Sequence, residues 1–217
     1  MHTDSTEVKD KRVAQGEATR AALLAAAREL FGAQGYAATS IDEVVTRAGV
    51  TKGALYHHFA DKESLFRGVL EQVQREVSDQ AVVEFLGPDP WAALVGGCRL
   101  WVDAHLDPAV RQIVLSDARA VLGWDAARAI ETRFSAVALR GALRKAMHAG
   151  VIDRQPLRPF ALMLAGALSE ACLYVAEATD PAAARVEVEG LMVSLLSGMR
   201  PRQPVEQPAA VSGQERP

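Results

Sequence analysis

Residues 39–59 read TSIDEVVTRAGVTKGALYHHF, two short helix patterns joined by a tight turn. Thr39 suits the N-cap of the first, and Asp42 three positions on can complete a capping box. Ile41, Val44 and Val45 then share one helical face, while Asp42, Glu43, Thr46 and Arg47 occupy the other. Ala48-Gly49-Val50 supplies a turn whose glycine can take the positive φ that a sharp reversal needs. Thr51 caps a second helix, Lys52 to His58, with Leu55 and Phe59 as its inward anchors. Gly53 within it costs about 1 kcal/mol of helix stability relative to alanine. A helix so short and polar is an element presented to something outside the chain. Helix, glycine turn and capped polar helix form the helix-turn-helix arrangement, whose second helix enters the DNA major groove.

The flanks extend this into a compact unit. Leu23, Leu24, Ala27, Leu30 and Phe31 recur at three and four residues, which predicts an amphipathic helix from Glu17 to Gln34 that stops at Gly35. Asp61 caps a fourth helix carrying Leu65, Phe66, Val69, Leu70, Val73 and Val77 inward, with Lys62 at its start. Beyond it, Gly87-Pro88-Asp89-Pro90 breaks the chain and Asp89 and Pro90 begin a fifth helix. A short sixth starts at Asp107-Pro108 and ends before Gly123. A long seventh runs from Trp124 to about Ala149, an eighth from about Phe160 to Ala178, and a ninth from Pro181 to about Met199. Period-two alternation long enough for a strand is missing throughout, so the expected class is all-α with about nine helices.

The stretch from Phe31 to Phe66, FGAQGYAATSIDEVVTRAGVTKGALYHHFADKESLF, resembles the N-terminal domain of TetR-type transcriptional regulators. The match runs without gaps from about Ala22 to Leu70 and is most specific over residues 49–59 and Asp61-Lys62-Glu63. The resemblance implies a reading head in which Lys52 and Ala54 face base edges beside Gly53. It makes Thr39, Thr51, Tyr56, His57 and Lys62 the phosphate-positioning set. It further implies a homodimer on double-stranded operator DNA, a C-terminal domain enclosing a small-molecule ligand, and repression relieved by that ligand. A helical interaction protein or an activator of the same fold is the alternative. The expected division is a flexible basic arm over 1–15, a DNA-binding domain over 16–63, a ligand-binding and dimerisation domain over 64–200, and a disordered tail over 201–217.

Within the C-terminal region, Cys98, Trp101, His105, Trp124, Phe134, Glu170 and Tyr174 are the pocket candidates. Aromatics at helical spacing equally make plain core. The eighth helix is apolar nearly all round, so it needs covering on two sides, and Leu191, Leu195 and Leu196 of the ninth offer a matching stripe for a second subunit.

Composition narrows the remaining classes. The chain has 217 residues, a 49% hydrophobic content and a net charge of −3. That balance is unusual for a nucleic-acid binder, so the positive charge must be local: Lys9, Lys11 and Arg12 in the arm, Lys52 and Lys62 at helix starts, and the helix N-termini themselves. No apolar run reaches membrane-spanning length and the N-terminus lacks a secretory pattern, so a cytoplasmic protein with no membrane partner is expected. Cys98 and Cys172 are isolated, which suits two buried thiols in a reducing compartment. No metal or cofactor motif and no catalytic motif is present, so neither cofactor nor enzymatic activity is expected.

Overall fold

The computed structural model describes residues 4–201, and among these the chain is all-helical without a strand. The elements are α1 (Asp4–Ala38), α2 (Ile41–Ala48), α3 (Lys52–His58), α4 (Lys62–Phe85), α5 (Pro90–Leu106), α6 (Pro108–Arg111), a π-helical segment (Gln112–Asp117), α7 (Ala118–Leu122), α8 (Trp124–His148), α9 (Leu157–Glu177) and α10 (Pro181–Ser197). Ten α-helices thus replace the nine expected, because the π segment splits what the sequence suggests is one short sixth helix. α1 begins at Asp4, so residues 4–15, expected as a flexible arm, are drawn into the first helix. The tail expected over 201–217 lies, beyond Pro201, outside the described residues.

Gly35 does interrupt α1, with φ 80° and ψ 166°, a conformation closed to other residues. The break turns Tyr36 inward, where its ring meets Phe31 and Phe66 at centroid distances of 5.7 and 5.3 Å. Phe31, Phe66, Leu23, Leu55 and Leu65 are fully buried around them, tying α1, α3 and α4 into one small core. α4 leaves this core and packs against α5 and α8, so one continuous helix runs from the first core into the second half of the molecule.

The α5 start is capped as expected: Asp89 Oδ1 accepts from the backbone N–H groups of Trp91 and Ala92 at 2.8 and 3.1 Å. α9 has the length and hydropathy of a membrane span, with only 39% of its apolar window buried inside the chain. It packs on α5, α8 and α10, and its uncovered side carries Met163 and Tyr174.

Candidate nucleic-acid interface and inner cavity

The cap of α2 is Ser40, one residue beyond the expected Thr39. Ser40 Oγ accepts from Glu43 N at 3.2 Å, and the Glu43 carboxylate accepts from Ser40 N at 2.7 Å, completing the box. The bonds that the Glu43 carboxylate accepts from Ser40 N and Ser40 Oγ hold it below its usual range. Thr39 is instead 2% exposed; its hydroxyl donates to Gly35 O at 2.8 Å and accepts from Gln34 at 3.3 Å. It therefore locks the α1 break to α2 and is not on the surface as a phosphate contact. Serine and threonine are adjacent and both cap well, so local pattern alone could not choose between them.

The turn and second helix form as the residues dictate. Gly49 adopts φ 67° and ψ 31°, and its N–H closes on Thr46 O and Val45 O. Thr51 Oγ1 accepts from Ala54 N at 3.2 Å, and Leu55 and Phe59 anchor the helix from below. Thr51, Lys52, Gly53, Tyr56 and His57 are exposed together on its outer face, with Ala54 half-buried beside them. Tyr56 is 54% exposed, a large aromatic with no place in the core. A Cβ placed on Gly53 would meet nothing closer than Thr51 Oγ1 at 3.8 Å, so no neighbour in the chain requires the glycine.

Two lysines of the expected set are engaged. Lys52 Nζ lies 2.6 Å from Asp42 Oδ1, a solvent-exposed pair that raises the lysine pKa through its hydrogen bond and charge. Lys62 Nζ sits 4.1 Å above the Tyr36 ring, and its partial burial lowers its pKa. His57 and His58 meet edge to face at 5.2 Å, with His58 turned half inward.

The seven pocket candidates do not converge. Trp101 lines a void of about 10 Å³ with Ser78, Phe85, Leu139 and Leu168, at the meeting of α4, α5, α8 and α9. His105 is buried against it, ring to ring at 4.5 Å, and Cys98 is buried one turn before Trp101, where desolvation pushes its thiol up to about 12. Trp124 is 55% exposed with Arg119 stacked on it at 4.6 Å, and Phe134 is half-buried beneath Arg75 and Arg133. Glu170 and Tyr174 line a different feature, an open groove of about 440 Å³ between α9 and α10 with Leu164, Leu191 and Leu195. Of the seven, Trp101 lines the inner void, whereas Cys98, His105, Trp124, Phe134, Glu170 and Tyr174 lie outside its lining. Periodicity places residues on a helix face without saying which neighbour covers that face.

Residues 91–199 match the family described as tetracyclin repressor-like, C-terminal domain, and residues 23–69 match the family described as bacterial regulatory proteins, tetR family. The chain belongs to the TetR family. A solved TetR-family transcriptional regulator from Pectobacterium atrosepticum is similar over 87% of this chain and 97% of its own, with 33% identity and a TM-score of 0.75. The Transposon Tn10 TetC protein of Escherichia coli is 30% identical over 55% of this chain and 60% of its own length. The HTH-type transcriptional repressor BepR of Brucella suis is 36% identical over 36% of this chain and 38% of its own. The chain thus spans under two thirds of these curated relatives, and the match to BepR is shorter than that to the solved structure. As a TetR-family member the protein is a DNA-binding transcriptional regulator, with its reading head in the helix-turn-helix and a helical C-terminal domain.

Proposed function

We propose that this TetR-family protein is a homodimeric repressor that holds operator DNA through α3 and releases it when a small, mainly apolar molecule enters the C-terminal domain. The observation that carries the DNA contact is Gly53. It weakens an exposed helix, nothing in the chain needs its small size, and it stands beside Lys52 and Ala54 on the face where a base edge would approach. Thr51, Tyr56 and His57 flank it as phosphate contacts; Lys62 joins them if it leaves the Tyr36 ring.

Dimerisation is supported by the open side of α9 and α10. Leu191 and Leu195 are 65% and 63% exposed and line one open groove with Tyr174, and Met163 of α9 is exposed as well, apolar surface that water does not favour. Two reading heads would then sit about one DNA turn, ~35 Å, apart. Coupling runs through α4, because Ser78, Ala81 and Phe85 line the inner void while Leu65 and Phe66 belong to the reading head. A molecule that widens the void shifts the equilibrium only by the difference in its affinity for the two head spacings.

The test is selection of bound sequences from a random DNA pool, followed by titration of the selected duplex. A two-fold symmetric site bound by two chains supports the reading; recovery of no preferred sequence at moderate salt overturns it.

A further inference from the structure

The arginines of this chain differ in whether a carboxylate answers them. Arg28, Arg47, Arg67, Arg99, Arg133 and Arg185 each pair with one. Arg128 and Arg140 of α8 and Arg158 in the first turn of α9 enter no ion pair among the described residues, although Asp125 and Glu131 stand within one turn of Arg128. Arg128 meets the Trp124 ring at 5.7 Å, a contact through its face that uses none of its N–H donors. These three arginines line a single cleft of about 140 Å³ between α8 and α9, together with Thr132, Ala161 and Leu162. Residues 118–160 carry eight Arg or Lys against three Asp or Glu, in a chain whose net charge is −3. Gathering like charges without counter-charges raises the electrostatic energy of the fold, and an anion taken from solution lowers it.

The spacing of the arginines selects the shape of that anion. Arg128 and Arg140 are twelve residues apart on one helix, about 18 Å along its axis at 1.5 Å per residue. Both line the same cleft, so they enter it from opposite ends, with Thr132 one turn in from Arg128 and Arg158 on the α9 wall. One compact oxyanion cannot answer two forks that approach from such a separation, whereas a molecule with a carboxylate at each end can. A guanidinium offers a planar pair of N–H donors that matches a carboxylate in bidentate fashion, and the Thr132 hydroxyl adds a further donor. The remaining lining, Ala161 and Leu162, is apolar and suits a methylene spacer. The cleft is smaller than the pockets that take drug-sized ligands, which keeps that spacer short. A cation would be repelled, and a neutral hydrocarbon would leave the charges as they stand.

We infer that the α8–α9 cleft binds a small aliphatic dicarboxylate, one carboxylate held by Arg128 and Thr132 and the other by Arg140 and Arg158. Such an occupant ties α8 to α9 through charge-assisted hydrogen bonds. The site shares no lining residue with the apolar void at Trp101, so it stands apart from the ligand reading above and does not depend on it.

The experiment titrates the full chain with succinate, butyrate and inorganic phosphate by calorimetry, at one ionic strength held with sodium chloride. It is repeated on Arg128→Gln, Arg158→Gln and Arg154→Gln. Arg154 lines the neighbouring cleft with Arg144 and His148, and its variant controls for a general loss of positive charge. Succinate is expected to bind saturably, one molecule per chain, at least tenfold more tightly than butyrate or phosphate. Arg128→Gln and Arg158→Gln should each weaken succinate at least tenfold, while Arg154→Gln should change it less than twofold. Arg158→Lys keeps the charge without the fork and should recover only part of the loss. Melts without ligand establish that each variant is folded, as expected for these exposed side chains. Equal affinity for succinate and butyrate, phosphate bound most tightly, or a succinate titration flat at millimolar concentration overturns the two-ended site. So does a loss in Arg154→Gln as large as that in Arg158→Gln, or full succinate affinity in Arg158→Gln.

Discussion

Asp117, the last residue of the π-helical segment, accepts a 2.8 Å hydrogen bond through Oδ2 from the backbone N–H of Tyr36, the residue just past the break in α1. A side chain from the C-terminal domain thus satisfies a main-chain donor in the reading head, a second connection beside α4. The same carboxylate approaches Gly35, where a Cβ would lie 3.6 Å from it and 3.1 Å from Gln112 Nε2. Asp117→Ala would strand the Tyr36 N–H and should cost about 1–3 kcal/mol. Asp117→Asn keeps an acceptor and should lose less. Calorimetric melts of the two variants give the comparison, and an alanine variant as stable as the parent would show that the bond does no structural work.

Gly53→Ala should separate stability from binding. The exposed helix gains up to about 1 kcal/mol, because alanine costs less conformational entropy. On the proposed reading operator affinity should nevertheless fall at least tenfold, since the new methyl would stand between the α3 backbone and the groove. Melting curves and DNA titrations on one preparation test both halves. Retained affinity would mean that α3 does not approach the bases closely.

Lys52 must leave Asp42 to reach DNA. An exposed ion pair of this kind is worth at most about 1 kcal/mol, so the exchange is inexpensive. Asp42→Asn should therefore raise affinity slightly, whereas Lys52→Ala should alter base preference at one position by roughly 1–3 kcal/mol. If Tyr56 meets a phosphate as proposed, Tyr56→Phe removes that hydrogen bond but no charge, and should weaken all sequences alike with the salt slope unchanged. Titrations at two salt concentrations on operator and scrambled duplexes distinguish these patterns.

Leu195→Glu and Leu168→Glu should behave differently despite sharing the α9–α10 groove. Leu195 is exposed in the single chain, so a charge there should leave the fold intact and yield monomers. Leu168 is buried, and an unpaired carboxylate in its place should unfold the domain. Sedimentation with circular dichroism reads both; a Leu195→Glu dimer as tight as the parent would place the subunit contact elsewhere.

Burial holds His105 below its ordinary value of 6.5, so the unfolded chain binds that proton more readily than the folded one. The stability conferred by the neutral ring is therefore complete above about pH 6.5 and is lost as pH falls towards the folded-state pKa. Denaturant melts between pH 7 and 5 should show an acid-side slope that His105→Gln reduces. An identical slope in the variant would assign the loss to other groups.

The elements themselves follow from local chemistry. Asp61, Asp89 and Asp107 each accept from the first backbone donors of a helix, Gly49 turns the chain, and Leu55 and Phe59 point inward, all on the strength of residues within a few positions. The exposed face of α3 was legible for the same reason: its lack of apolar residues is a property of the segment. Thr39 against Ser40 was not, because what separates them is burial at the α1 break. Likewise the spacing that grouped Trp101 with Trp124 and Tyr174 says nothing of partners. Packing of α4 and α9 enclosed Trp101, while Arg119 stacked on Trp124 at the surface and α10 met Tyr174 through Glu187 at 3.1 Å. The π segment that delivers Asp117 to Tyr36 is likewise a tertiary outcome, since the helical residues QIVLSD carry no local mark of the wider turn. Caps, turns and faces depend on neighbours along the chain; enclosure and polar pairing depend on which distant helices arrive, and that is set by the packing of the whole core.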